Sequence, residues 1–160
     1  MCWWVVPGAR AVGYRRSMEA DRHHLPPAFD ALVEEAVGLG ARVERARLRG
    51  ARGLWDSGAR TIWIEAAYSD AWAAPVLAHE LEHVRRGHTG PQPVGVERLI
   101  DERVARLFVD PVRYARAEGL VGPDPVLIAD ELGLPAWVVR AFRLPRARAE
   151  FEQTPAFLPA

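Results

Sequence analysis

Hydrophobic residues recur at helical spacing near the start of the chain. After Leu25-Pro26-Pro27, apolar side chains fall at i, i+3, i+4, i+7 and i+8, namely Phe29, Leu32, Val33, Ala36 and Val37. This spacing puts them on one face of a helix, and Gly38 and Gly40 provide its end. The pattern therefore predicts an N-terminal amphipathic helix.

Weaker, strand-like alternation follows this helix over residues 42–48. Two further apolar runs, Leu54-Trp55-Asp56 and Thr61-Ile62-Trp63-Ile64-Glu65, flank Ser57-Gly58-Ala59-Arg60. Aromatic and β-branched residues on both sides of a glycine-containing turn predict a β-hairpin. We therefore expect a small antiparallel sheet in this part of the chain.

The remaining sequence is helical in pattern. Val76, Leu77, Leu81 and Val84 form an apolar stripe before Gly87, which predicts a helix over about 73–86 with Pro75 near its start. Further helices are expected over 97–109, from 111 to about 118, and twice between 125 and 143. Asp124 and Pro125 fit the N-cap and the first helical position of the first of that pair. The predicted fold class is α+β.

Length and composition limit the organisation of the protein. The chain has 160 residues, 49% of them hydrophobic, which suits one domain with a substantial core. We expect the core over 1–118 with an N-terminal arm over 1–24, a helical hairpin over 119–145 packed on it, and a loosely ordered tail over 146–160. A formal net charge of zero argues against a dominant nucleic-acid or membrane-surface role.

Cysteine content and hydropathy indicate the compartment. Cys2 is the only cysteine, so an internal disulfide and a thiolate metal cluster are both excluded. The N-terminal apolar run is too short for a signal peptide. No segment approaches the roughly 20 apolar residues that span a bilayer. A cytoplasmic protein without a membrane partner is expected.

Residues 79–83 read His79-Glu80-Leu81-Glu82-His83, an H-E-x-x-H motif. Residues four apart share one face of a helix, so both imidazoles can reach the same ion. Glu80 can contact a metal-bound water without binding the metal, and an acidic third ligand leaves one zinc position open for that water. The motif predicts Zn²⁺ as cofactor, His79 and His83 as ligands and Glu80 as the catalytic base. The alternative is an amphipathic helix whose histidines happen to be four residues apart.

The third ligand must come from another element, and the next predicted helix carries three carboxylates. Glu97 and Asp101 share a face with Val104 and Phe108, and that face is otherwise apolar. Because a buried carboxylate needs a partner, we predict Glu97 as the third ligand and Asp101 as the group that holds a ligand histidine through its second ring nitrogen. Glu102, about 100° around the helix, is the alternative third ligand, although a solvated position is favoured for it. Asp101 is a further alternative.

Three other histidines are candidate ligands. His88 lies in a Gly/Pro-rich loop and is a candidate ligand or substrate contact, although a solvated loop histidine is favoured. His23 and His24 are adjacent, and adjacent side chains on an extended chain point in opposite directions. A shared zinc site at that pair is therefore disfavoured.

Four features in order along the chain point to one family. They are Gly53-Leu54-Trp55-Asp56 followed by Thr61-Ile62-Trp63-Ile64, the helix from Leu77 to His83, the segment Glu97-Arg98-Leu99-Ile100-Asp101, and the apolar run from Ala105 to Pro111. Over roughly residues 25–145 the chain resembles the ImmA/IrrE metallopeptidases. In that family the residue before the second histidine is usually a glycine, whereas this chain has Glu82. The resemblance implies a zincin-like core and a gluzincin-like zinc peptidase. Many such proteins are encoded on phages and mobile elements and are thought to cleave a repressor.

The last predicted helices admit a second interpretation. Ala129, Gly133 and Val139 fall at the spacing of a helix-turn-helix motif, which would bind DNA. The second helix offers only Arg140 and Arg143 to base edges, so a hairpin packed on the core is favoured. The sequence thus predicts a zinc-dependent endopeptidase that acts on a protein substrate, and the family resemblance implies a repressor as that substrate. The alternative is a DNA- or protein-binding regulator with a structural or vestigial metal site.

Overall fold

The computed structural model of the protein describes residues 25–143. Its elements, in chain order, are α1 (Phe29–Gly38), β1 (Arg42–Ala46), β2 (Gly53–Asp56), β3 (Thr61–Glu65), α2 (Asp70–Arg85), α3 (Val94–Phe108), α4 (Pro111–Val121), α5 (Pro125–Leu132) and α6 (residues 136–143). This confirms the predicted α+β class. The predicted arm over 1–24, with Cys2, His23 and His24, and the predicted tail over 146–160 lie outside the described residues.

The three strands form one mixed sheet in the order β1-β3-β2. β2 runs antiparallel to β3, with Gly53 opposite Ile64 and Asp56 opposite Thr61, which confirms the hairpin. β1 runs parallel to β3, with Arg42 opposite Thr61, so the prediction of an all-antiparallel sheet was wrong. The chain passes from β1 to the far edge of the sheet, and the hairpin then returns it to the centre. This connection makes β3 run in the same direction as β1.

The hydrophobic core joins the central strand to the motif helix. Ile62 and Ile64 of β3 and Leu77 and Leu81 of α2 are completely buried. Burial of each such side chain contributes about 1.5–3 kcal/mol. The sheet and α2 therefore form a rigid support for the residues on the opposite side of that helix.

Helix α2 begins earlier than the sequence pattern indicated. Its N-cap residue is Ser69, so Pro75 lies inside the helix and not in its first turn. Proline has no backbone N–H, so the helix loses one internal hydrogen bond at this position. Every residue from Ala73 to His83 is nevertheless buried. The whole H-E-x-x-H motif is thus in a shielded part of the helix.

The C-terminal helices begin at well-defined caps. The Asp124 carboxylate accepts a hydrogen bond of 2.7 Å from the Val126 N–H, and Pro125 is the first residue of α5, as predicted. The expected linker over 119–123 is shorter than predicted, because α4 continues to Val121. Within residues 25–143, no helix combines the length and the apolar character needed to cross a membrane.

Helices α5 and α6 share the core with the rest of the protein. Ile128 and Ala129 of α5 and Val138 and Val139 of α6 are buried in the same hydrophobic cluster as β3 and α2. Gly133 connects the two helices in the left-handed conformation, with φ of 68°, which suits a residue without a side chain. The hairpin is therefore integrated into the main core and brings α6 close to the motif helix.

Candidate metal centre

Three donor atoms converge between α2 and α3. His79 and His83 lie one turn apart on α2, and their Nε2 atoms are 3.1 Å apart. Glu97, in the first turn of α3, places Oε2 3.1 Å from His79 Nε2 and 3.5 Å from His83 Nε2. Both histidines are buried, whereas Glu97 is partly exposed. The structure thus brings together the two motif histidines and the carboxylate predicted as third ligand.

The spacing of these atoms can be compared with a tetrahedral zinc site. Bonds of about 2.0–2.1 Å to nitrogen and oxygen ligands imply ligand–ligand separations of about 3.3 Å. The observed separations of 3.1, 3.1 and 3.5 Å lie on either side of that value. Two imidazole nitrogens and one carboxylate oxygen suit zinc better than calcium or magnesium, which prefer oxygen ligands. The donor group therefore fits a zinc ion in both spacing and chemistry.

Asp101 contacts His79 on the opposite side of its ring. The Asp101 Oδ1 atom is 3.0 Å from His79 Nδ1, a short contact that is not well aligned for a hydrogen bond. Burial lowers the pKa of His79, but the Asp101 contact and the charges of Glu80 and Glu97 outweigh it, so the net shift is upward. A proton on Nδ1 leaves the Nε2 lone pair facing the other donors. Asp101 is therefore placed to orient His79.

His88 occupies the equivalent position beside His83, which the sequence interpretation missed. Its Nδ1 is 2.9 Å from His83 Nδ1, so the prediction of a solvated loop histidine was wrong. Two hydrogen bonds of 3.0 Å hold its backbone: the N–H donates to the His83 carbonyl, and the carbonyl accepts from the Trp55 side chain at Nε1. Gly87, with φ of 64°, turns the chain back at the end of α2. A histidine just after a helix-terminating glycine was the available signal.

Glu80 lies beside the donor group without belonging to it. Its side chain is buried next to β2. Burial raises the pKa of Glu80 to about 7, although the charge of His79 opposes this shift. A Cβ at Gly53 would lie only 2.6 Å from Val76 Cγ1 and 2.9 Å from Glu80 Oε1. The absence of a side chain at Gly53 therefore allows strand β2 to pack directly against Glu80.

The donor group opens onto a cleft of about 420 Å³. His79, Glu80, His83 and Glu97 all line it, so the proposed ligands and the buried carboxylate face one space. Its other walls are largely apolar and come from the β2 region, α2, the loop before α3, and α6; they include Leu54, Trp55, Val76, Pro91 and Trp137. Such a cleft can accept a chain segment next to the donor group.

The alternative third ligands are placed elsewhere. Glu102 is only 6% exposed, which contradicts its predicted solvation, and it is flanked by Arg98 at 3.7 Å and Arg106 at 3.8 Å. The buried arc of α3 is wider than one stripe, because Ala105 on the Glu102 side is buried as well. Asp101 faces the Nδ1 side of His79. Neither residue joins the group that His79, His83 and Glu97 form.

Glu82, inside the motif, connects α2 to α3. It is 3% exposed, and its carboxylate accepts from Arg85 Nη1 at 2.6 Å, pairs with Arg103 Nε at 3.2 Å, and also accepts from Arg86. Burial raises the pKa of Glu82, but Arg86, Arg103 and Arg85 outweigh this effect and hold it below its usual value. Because Arg103 belongs to α3, this ion-pair cluster fixes the helix of Glu97 against the helix of the two histidines.

No protein-family model matches the chain, and no curated protein matches it. Functional conclusions therefore rest on the residues of the site and their geometry.

Proposed function

We propose that the protein is a zinc-dependent endopeptidase of the ImmA/IrrE type. His79, His83 and Glu97 would hold the metal ion, and Glu80 would transfer the proton. The observation that carries this proposal is the convergence of three donor atoms within 3.5 Å of one another, beside a buried carboxylate that faces the same cleft. If the two histidines merely happened to be four residues apart, nothing would require a carboxylate from a second helix to lie within 3.5 Å of both.

Each residue has a distinct part in the proposed reaction. A zinc ion held by this group would supply Lewis acidity toward water and toward a peptide carbonyl. Glu80 is free for proton transfer because it is not among the three donors, and it can pass a proton from the attacking water to the leaving amine. Asp101 and His88 lie at the Nδ1 atoms of the two imidazoles, which would keep Nε2 available to the metal ion.

The cleft supports a peptide as the substrate class. Its volume of about 420 Å³ and its apolar walls suit a short stretch of extended chain. A repressor protein as substrate and a cytoplasmic location remain part of the proposal, and both derive from the family resemblance and the sequence. The DNA-binding alternative has less support, because Arg143, one of the two arginines that α6 could offer to bases, donates to the Pro123 carbonyl at 2.5 Å.

The proposal is tested by separating metal binding from proton transfer. The full chain is loaded with zinc, its metal content is measured by mass spectrometry, and cleavage of a quenched-fluorescence peptide library is followed. We expect about one zinc per chain in the wild type and in Glu80→Gln. Cleavage should fall by about 10²–10⁴-fold in Glu80→Gln, the usual contribution of a general acid–base group.

Three variants serve as comparisons. His79→Ala and Glu97→Ala remove donors and should lose both zinc and cleavage. Glu34→Gln changes an exposed glutamate on α1 and should alter neither. Undiminished cleavage by zinc-loaded Glu80→Gln would rule out the proposed mechanism, and a wild-type chain that does not retain zinc would rule out the metal centre.

A further inference from the structure

One cationic side chain reaches the cleft beside the metal centre. Among the described residues that line the cleft, Arg52 is the only arginine, and the chain contains no lysine. Its backbone is fixed to the sheet, because its carbonyl accepts a hydrogen bond of 3.0 Å from the Glu65 N–H. The side chain itself is 40% exposed. Arg52 therefore presents a positive charge to the cleft from a well-anchored position.

An aromatic ring restricts the Arg52 guanidinium group. Its Cζ atom lies 4.2 Å from the centroid of the Trp137 ring, within cation–π distance. Trp137 in turn meets His79 edge-on, with ring centroids 6.2 Å apart. The guanidinium is thus positioned relative to the metal centre before any ligand binds, which reduces the entropy cost of forming a contact with one.

The hydrogen-bonding capacity of Arg52 is unused within residues 25–143. A guanidinium has five N–H donors, and those of Arg52 donate to none of the described residues. Among the described residues, its nearest carboxylate is Asp101. The Asp101 Oδ1 atom is 3.9 Å from Arg52 Nη2, beyond hydrogen-bond distance, and 3.0 Å from His79 Nδ1. Arg60, by contrast, donates to the carbonyls of Leu39 and Gly40. The contacts of Arg60 indicate a structural role, whereas the donors of Arg52 are available for a ligand.

We propose that Arg52 forms a carboxylate-binding subsite, through which the cleft selects peptides that carry a carboxylate near the scissile bond. This inference rests on the proposed peptidase function. A planar guanidinium binds a carboxylate through two parallel hydrogen bonds, which gives both affinity and orientation. Arg52 is nearest to Asp101, which contacts His79 at Nδ1, whereas His79 Nε2 faces Glu97. The bound carboxylate therefore lies beside the metal centre and is separate from its ligands.

The carboxylate can come from an acidic side chain or from a peptide C-terminus, and paired probes distinguish these sources. The probes are four succinyl hydroxamates in two pairs. One pair ends in Asp-amide or Asn-amide, and the other ends in Ala with a free carboxylate or in Ala-amide. Each is titrated calorimetrically into the zinc-loaded full chain. The wild type should bind the acid of one pair roughly tenfold more tightly than its neutral counterpart. The Asp/Asn pair reports a side-chain carboxylate, and the Ala acid/amide pair reports a terminal one.

Variants of Arg52 connect the preference to this residue. Arg52→Gln should abolish the preference while zinc content and the Kd of the neutral probes stay unchanged. Arg52→Lys should keep part of it, because the charge remains but the planar fork is lost. Arg47→Gln, which changes an exposed arginine outside the cleft, is the matched control and should keep all of it.

The possible results separate the two proposals. Equal Kd values within both pairs, or a preference that survives in Arg52→Gln, would overturn the carboxylate subsite and leave the peptidase proposal standing. A lowered Tm of Arg52→Gln with an unchanged preference would assign Arg52 a structural role only. If the zinc-loaded wild type bound none of the four hydroxamates, the proposed function and the subsite would both fail.

Discussion

His83 and His88 form a direct imidazole–imidazole contact, with their Nδ1 atoms 2.9 Å apart. Only one of these two nitrogens can carry the shared proton when both rings are neutral. If His83 binds a metal through Nε2, its proton must be on Nδ1, and His88 Nδ1 must accept it. His88 Nδ1 is therefore placed to accept that proton, and the Asp101 carboxylate lies at the equivalent nitrogen of His79.

Removal of this contact should weaken metal binding without changing its stoichiometry. We expect His88→Ala to lower zinc affinity by about 10–100-fold, the usual effect of losing a group that orients a ligand histidine. Affinity is measured by competition with a chromophoric chelator. Thr89→Ala, at an exposed neighbour in the same loop, is the control and should bind zinc as the wild type does. Equal affinity in His88→Ala would mean that the contact has no role in metal binding.

Asp101 should have a comparable effect through the other histidine. In Asp101→Asn an oxygen can remain next to His79 Nδ1, but the negative charge that favours the ring proton is lost. We expect about a tenfold loss of zinc affinity and a larger loss in Asp101→Ala. Asp130→Asn, at an exposed position on α5, should leave affinity unchanged. A wild-type affinity in both Asp101 variants would contradict the orienting role.

Local sequence patterns predicted the parts of this structure that local interactions determine. The helical spacing from Phe29 to Val37 gave α1, and the turn around Gly58 gave the β2–β3 hairpin. His79 and His83 share a face simply because they are four residues apart on a helix. The grouping with Glu97 was also accessible, since a carboxylate on an apolar helix face needs a partner.

Non-local relationships were not accessible from the sequence. The direction of β1 depends on where the chain goes after Ala46, which no local spacing encodes. Glu102 is buried because two adjacent stripes of α3 pack inward, and periodicity alone identified only one of them. His88 meets His83 because the loop folds back at Gly87, which a pattern of residue types does not reveal.

The close packing of β2 on α2 leads to a prediction about Gly53. In Gly53→Ala, a Cβ would lie 2.6 Å from Val76 Cγ1 and 2.9 Å from Glu80 Oε1, so strand or helix must shift. Overpacking of this kind costs about 1–3 kcal/mol. Peptide cleavage should fall because Glu80 moves, while zinc content stays near the wild-type value because Glu80 is not a donor. Chemical denaturation and metal analysis test the two parts separately.

Gly95 provides the comparison for this variant. It lies in the first turn of α3, and a Cβ built there meets no atom within 4 Å. Gly95→Ala should therefore be neutral or stabilise the protein by up to about 1 kcal/mol, since alanine favours a helix. Equal stabilities of Gly53→Ala and Gly95→Ala would show that the β2–α2 contact tolerates a side chain.

Metal binding should also stabilise the folded protein. A ligand that binds only the folded state adds about 2.7 kcal/mol when its free concentration is 100 times its Kd. For a chain of this size, that corresponds to a rise in Tm of about 5–10 °C. Scanning calorimetry with zinc and with excess chelator measures the difference. Glu97→Gln, which weakens one donor of the group, should show a much smaller rise, and a chelator-insensitive wild-type Tm would contradict the metal centre.

The arginine cluster around Glu82 leads to a prediction about stability. Glu82→Gly should destabilise the protein, because Arg85, Arg86 and Arg103 would lose their shared partner. The arginines are partly exposed, which limits the loss from the ion pairs to about 1–3 kcal/mol. Glycine in a helix interior adds about 1 kcal/mol, so Glu82→Ala isolates the electrostatic part.

Because Arg103 is on α3, loss of the cluster should also loosen Glu97 relative to the two histidines. Zinc affinity should therefore fall in Glu82→Ala, although Glu82 is not a donor. Denaturant unfolding and chelator competition measure stability and affinity on the same samples, with Glu34→Gln as the control for an exposed glutamate. A Glu82→Ala variant with unchanged stability would show that the ion pairs contribute nothing. Lower stability with unchanged affinity would show that they fix the fold without positioning the third ligand.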